Sequence, residues 1–181
     1  KQLDYQKKIE QSGKLLLSII NHVLDMARIE SGKMDVDENY ERVGEVVDEI
    51  ISTFASEAEE KGIHLSGSMK VTHRNILCDG TKIREIYVNL VSNAIKYTPR
   101  GGKVTITIEE LPCEKEGYMK VKTEIKDTGI GMSKEYLPML FEPFSRERNT
   151  TTGKVGGTGL GMPIVKKMVD LMGGSIEVES E

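Results

Sequence analysis

Apolar side chains at Ile9, Leu16, Ile20, Val23 and Ala27, with Leu17 and Leu24 beside them, recur every three or four residues and predict one long helix over 3–30. Its apolar seam calls for a partner helix, so an intermolecular bundle is expected rather than a helix lying on its own domain. Ser31-Gly32-Lys33 and the acidic stretch 35–40 mark where the helix gives way to extended chain, and the boundary between two units is placed there. A second helical pattern runs from about 41 to 60 and stops at Gly62, which suits a left-handed C-terminal cap. Strand-like stretches follow at 63–67 and 75–78. Asp79 then stands where an N-cap is needed for a helix over 81–97, which Pro99 and Gly101-Gly102 end. The stretches 103–110 and 118–127 alternate apolar and polar residues across a loop with Pro112 and Gly117, the pattern of an antiparallel hairpin. A last helix over 158–172 and a final strand, SIEVE, complete the pattern. Helices mixed with mostly antiparallel strands predict an α+β fold: a two-layer sandwich with one sheet and helices on one face, preceded by the long N-terminal helix.

Composition narrows this little. With 181 residues, 38% of them apolar and 30% charged, the chain can build one domain core plus a short appendage. The net charge is only −4 and the basic residues are scattered among acids, so the positive stripe of a nucleic-acid binder is missing. Cys78 and Cys113 are far apart and in no metal-binding spacing, which reads as reduced thiols of a cytoplasmic protein. The longest nearly continuous apolar run, 15–20, is far short of a membrane span. The opening Lys1 and the end within a strand-like stretch suggest part of a longer protein.

Candidate chemistry lies in four places. Glu85, Asn89 and Asn93 recur every four residues and share one face of the helix over 81–97. Asparagine offers a neutral carbonyl oxygen to Mg²⁺, a hard cation that prefers oxygen, but a solvated helix face explains the same row. DTGIGM at 127–132 follows a strand, and Gly129 and Gly131 allow backbone to approach a bound group. The Asp127 carboxylate accepts but does not donate; it suits the exocyclic amine of adenine and repels the carbonyl that guanine presents there. GGTGLG at 156–161 leads into the last helix, whose N-terminus suits phosphate. No GxxxxGK[ST] occurs, and the glycines at 157, 159 and 161 do not make a dinucleotide fingerprint. Between the glycine segments, 140–157 reads as a lid anchored by Phe141 and Phe144, which plain core packing explains equally well, and Arg146, Arg148 and Lys154 either reach phosphate or are simply solvated.

In their order, NLVSNAIKYTP, DTGIGM, LFEPFSR and GGTGLGMPIVKKMV resemble the asparagine box, first glycine box, phenylalanine box and second glycine box of sensor histidine kinases. LLLSIINHVLDMARIESGKM resembles the second helix of that family's dimerisation and phosphotransfer hairpin. The resemblance divides the chain into a partial hairpin, 1–38, and a catalytic ATP-binding domain, 39–181, with its last strand missing. It implies Mg²⁺ on Asn93 with help from Asn89, Lys96 on phosphate, Tyr97 beside the base or ribose, and Asp127 on the adenine amine. Gly129 and Gly131 would line the base pocket, Phe144 and Arg146 would belong to the lid side, and Gly157, Thr158, Gly159, Leu160 and Gly161 would hold phosphates. The implied partners are ATP, the phosphoacceptor hairpin of the same protein, a response regulator receiver domain and a second copy in a homodimer.

The family's acceptor histidine, followed at once by an acid and then a proline, has no match here. His22 precedes Val23, His64 lies in a strand, and His73 precedes Arg74, so all three read as structural and the chain is expected to bind ATP without autophosphorylating. Related ATPases of this fold carry a catalytic glutamate four residues before the magnesium asparagine. That position is Asn89, and an amide cannot take a proton from water, which disfavours hydrolysis. A nucleotide-sensing scaffold that never transfers phosphate is the other alternative.

Overall fold

The computed structural model describes residues 2–147 and 157–181, with only the backbone for residues 2–4, 7, 8, 11, 14 and 15. Its elements are α1 (Gln2–Glu30), β1 (Asn39–Arg42), α2 (Val43–Lys61), β2 (His64–Lys70), β3 (Asn75–Cys78), α3 (Gly80–Tyr97), β4 (Lys103–Leu111), β5 (Lys120–Asp127) and α4 (Gly161–Leu171), with a single 3-10 turn at Leu137–Met139 before α4. The mixed α+β fold anticipated from the periodicities is present.

The sheet is not single, however. β1 pairs antiparallel with β3 in a separate two-stranded ribbon, while β2, β4 and β5 form a three-stranded sheet in that order. Within it β4 and β5 are the expected antiparallel hairpin, but β2 and β4 are parallel. Periodicity alone could not give this direction, because the chain leaves β2, passes through β3 and α3, and returns alongside it, a crossover rather than a hairpin. The anticipated last strand is also absent. Ser175–Glu181 lies beyond α4 without forming a ladder, although Ile176 packs on the core.

The helices close over one face of the three-stranded sheet. Val104, Ile106 and Ile108 of β4 alternate inward and are essentially solvent-free, and they meet Val91 and Ile95 of α3 and Ile164, Val165 and Met168 of α4. From α2, Val46, Val47, Ile50 and Phe54 complete this core at helical spacing. The helix ends obey their local chemistry. Gly62 adopts φ 64° and its N–H donates to the Glu59 carbonyl, the left-handed cap read from the sequence.

The N-terminal helix divides its faces. Met26 packs on the core, whereas Ile9, Leu16, Leu17, Ile20, Val23 and Leu24 stay at least 46% exposed, so the seam is not consumed by the rest of the chain. No helix among the described residues is long and apolar enough to cross a membrane.

Candidate functional site

Helix α3 is the backbone of the site, and its two ends are held tightly. At the N-terminus Asp79, 3% exposed, accepts from the Lys82 N–H (3.0 Å), the Lys82 ammonium (2.6 Å) and the Asp37 N–H (3.0 Å). Burial alone would push its carboxyl upward, but these hydrogen bonds outweigh it and hold the group below the usual carboxylate range. Behind it, Arg84 donates to both Glu41 and Glu49 and ties α3 to β1 and α2. At the C-terminus, the buried Thr98 donates through its N–H (3.0 Å) and its hydroxyl (2.7 Å) to the Ala94 carbonyl.

The row along α3 is half-buried rather than a fully solvated face. Burial, and secondarily the charge of Asp25 on α1, raise the pKa of Glu85. The Asn89 amide nitrogen donates to the Glu85 carbonyl (3.0 Å), which turns its oxygen toward the N-terminus of α4. A Cβ on Gly161 would lie 2.8 Å from that oxygen. Asn93, one turn on, has no hydrogen-bond partner among the described residues. Two amide oxygens on one helix face are a donor set suited to a hard divalent cation.

At the end of α3, burial and then the nearby Arg146 depress the pKa of Lys96, whose ammonium lies 4.9 Å from the Tyr97 ring centroid. Gly157 abuts that ammonium: an added Cβ would lie 2.8 Å from it. Burial chiefly raises the Tyr97 phenol. Across the cleft, Asp127 at the end of β5 accepts the Gly129 N–H (2.8 Å), and no other donor among the described residues reaches this carboxylate. Gly129 passes so close to α3 that a Cβ would sit 2.9 Å from the Tyr97 carbonyl oxygen. The Ile130 N–H donates to that same carbonyl (3.3 Å). Glycine is therefore demanded at 129 by space, and at 131 by its φ of 66°.

Asn89, Asn93, Lys96, Tyr97, Asp127, Gly129, Gly131, Arg146, Gly157, Thr158, Gly159 and Gly161 line one open cleft. Its volume, about 2350 Å³, exceeds the roughly 300–1,000 Å³ of a single small-molecule site. The excess runs beneath the free edge of β5 toward Met172, Ile176 and Val178. Three described residues from the sequence reading, Leu160, Phe144 and Phe141, do not line it. Leu160 is 1% exposed and belongs to the core; it shapes the site by fixing the start of α4. Phe144 is 68% exposed with φ 61°, so it is not the aromatic plug anticipated, and Phe141 is only partly buried. What Phe144 contributes is backbone: its N–H donates to the Gly159 carbonyl (2.9 Å) and braces the second glycine segment. Arg148, Lys154 and half of the proposed lid, 148–156, lie outside the described residues.

Other lining residues gave no local signal. Tyr136 donates from its hydroxyl to the Ser145 carbonyl (3.3 Å). His22 and Asp25 reach the cleft from α1, where the Thr158 hydroxyl is 3.4 Å from the His22 Nδ1. Burial, partly offset by Asp25, lowers the His22 pKa. A helical histidine carries no mark of what will face it; only the packing of α1 against α4 brings it here.

The family model described as histidine kinase-, DNA gyrase B-, and HSP90-like ATPase matches residues 78–181. The chain is 37% identical over 180 residues to an uncharacterised sensor-like histidine kinase of Rhizobium meliloti, an alignment covering 99% of this chain and 33% of that protein. It is 36% identical over 181 residues to the sensor histidine kinase GacS of Pseudomonas protegens, covering 99% of this chain and 20% of the relative. Among solved structures, full-length ShkA in complex with AMPPNP superposes with a TM-score of 0.77 at 27% identity, over 95% of this chain and 34% of that one. The chain thus spans about a third or less of the length of these relatives.

Proposed function

Since the chain belongs to the histidine kinase-, DNA gyrase B-, and HSP90-like ATPase family, we propose that it is the ATP-binding catalytic part of a sensor histidine kinase. In this reading it transfers the γ-phosphoryl group of ATP to a histidine on a hairpin helix, for relay to an aspartate of a response regulator. The observation that carries it is the convergence on one cleft of Asn89, Asn93 and Lys96 from α3, Asp127 and Gly129 from the end of β5, and Gly157 and Gly161 from the start of α4.

The parts divide the work. Asp127 reads the adenine amine, with Gly129 and Gly131 giving the base close access to backbone. The amide oxygens of Asn93 and Asn89 would hold Mg²⁺, which would supply charge neutralisation for the phosphates. Lys96 faces the phosphates, its lowered pKa reflecting a desolvated cation that an anion would relieve. The N-terminus of α4 offers unpaired N–H groups and the positive end of its dipole. No general base is required of the chain, because the attacking nucleophile is the acceptor's imidazole nitrogen; placement and electrostatics are what the protein contributes. That fits Asn89 in the place of a hydrolytic glutamate, and favours transfer over hydrolysis. The exposed seam of α1 supports a partner helix and a homodimer.

Calorimetric titration with Mg-ATP tests the site: wild type is expected to bind, and Asn93→Ala and Asp127→Ala to abolish most of the binding. Wild-type-like titrations of both variants would refute it. Incubating the chain and labelled ATP with a separately made hairpin of the parent protein is expected to label the hairpin histidine. Binding without label would favour a nucleotide-sensing scaffold.

A further inference from the structure

The last four carbonyls of a helix have no partner within it and must find one outside or face water. In α3 those groups belong to Ala94, Ile95, Lys96 and Tyr97, the stretch that carries Lys96 and Tyr97 into the cleft. Ala94 is served by Thr98. The Tyr97 carbonyl is served by the Ile130 N–H of the loop after β5. The two between them share one donor: the Lys61 ammonium, at 2.6 Å from the Ile95 carbonyl oxygen and 3.1 Å from that of Lys96. Lys61 is the last residue of α2, and Gly62 behind it is pinned because its carbonyl accepts the Gly101 N–H (2.9 Å). The ammonium is thus set at the negative end of the α3 dipole by an anchored backbone, a favourable place for a cation.

We propose that Lys61, which does not line the cleft, is a positioning residue for the base-side loop. By tying down the Ile95 and Lys96 carbonyls it fixes the final turn of α3, and so fixes the Tyr97 carbonyl on which Ile130 hangs. The Gly129 approach to that carbonyl leaves no slack, as the clearance for even a Cβ shows. A last turn that unwinds moves Ile130, Gly129 and the Asp127 carboxylate bonded to Gly129 together. The inference rests on the nucleotide reading, since adenine recognition is what the loop's position serves.

The test compares the wild-type chain with Lys61→Met, which keeps the stem and removes the donors, and Lys61→Arg, which restores a cationic donor. Lys61→Met is expected to weaken Mg-ATP and Mg-ADP equally, by tenfold or more, because the loop serves the shared adenosine. Lys61→Arg is expected to recover most of that loss. In the nucleotide-free chain, amide hydrogen exchange at Ile130 is expected to accelerate in Lys61→Met while Ile106 in β4 stays as protected as in wild type. A merely structural role would speed both amides alike, and that result overturns the proposal. Unchanged Ile130 exchange, or unchanged nucleotide affinity in a Lys61→Met chain whose wild type binds, overturns it as well. A wild type that binds no Mg-ATP sinks the nucleotide reading and this inference with it.

Discussion

The Asn89 amide oxygen stands 2.8 Å from where a Cβ on Gly161 would be, so α3 and α4 meet beside the cleft without room for a methyl group. Gly161→Ala must push the Asn89 amide from its place, against its bond to the Glu85 carbonyl. Alanine at a helix start is itself favourable, with an intrinsic gain over glycine of up to about 1 kcal/mol. The expected outcome is a chain melting within about 1 kcal/mol of wild type whose calorimetric Mg-ATP affinity falls at least tenfold. Unchanged affinity would remove Asn89 from the site.

Asp79 makes the sharpest stability prediction. Removing a buried N-cap that also accepts from Lys82 and Asp37 is expected to cost about 2–4 kcal/mol by urea denaturation of Asp79→Ala. Its folded pKa lies below its unfolded one, so the unfolded chain binds its proton first as pH falls. The contribution is therefore complete above the ordinary aspartate value and is lost as pH drops through the lower folded value. Urea midpoints from pH 6 to pH 2 should fall for wild type and fall less for Asp79→Asn.

His22 has the same sign for a different reason. Its imidazole is depressed by burial, so on acidification the unfolded chain takes up a proton that the folded chain resists. Stability is expected to be flat above the ordinary histidine value and to decline below it, and His22→Gln should flatten that decline. The effect is modest because the ring is only partly buried. A wild-type profile matching that of His22→Gln between pH 8 and pH 5 would count against α1 seating on Thr158.

Ile106 of β4, 1% exposed beneath the helices, is expected to cost about 2–5 kcal/mol on truncation to alanine, with no specific effect on nucleotide beyond the fraction unfolded. Guanidinium denaturation beside calorimetry separates the two. A selective loss of affinity at full stability would mean that the sheet transmits to the cleft more than packing requires.

Much of this was legible locally. Asp79 and Gly62 announce their caps because capping is a matter of a few adjacent atoms, and the alternation in 103–110 and 118–127 writes out a hairpin. The glycine requirements at 129 and 161 were legible as glycines, though not as contacts. Phe144 misled because an aromatic in a polar stretch suggests burial, while its value here lies in the backbone N–H that any residue but proline possesses.

The sequence by itself determined which segments are helices, the caps at Gly62 and Asp79, and which polar residues share one face of α3, since each depends on interactions within a turn or two. Only the tertiary structure decided that β2 runs parallel to β4, that β1 and β3 form their own ribbon, that SIEVE makes no ladder, that His22 and Tyr136 line the cleft, and that Lys61 meets the end of α3. Those facts depend on contacts between residues tens of positions apart. Their free energy is shared by the whole core, and no local pattern records it.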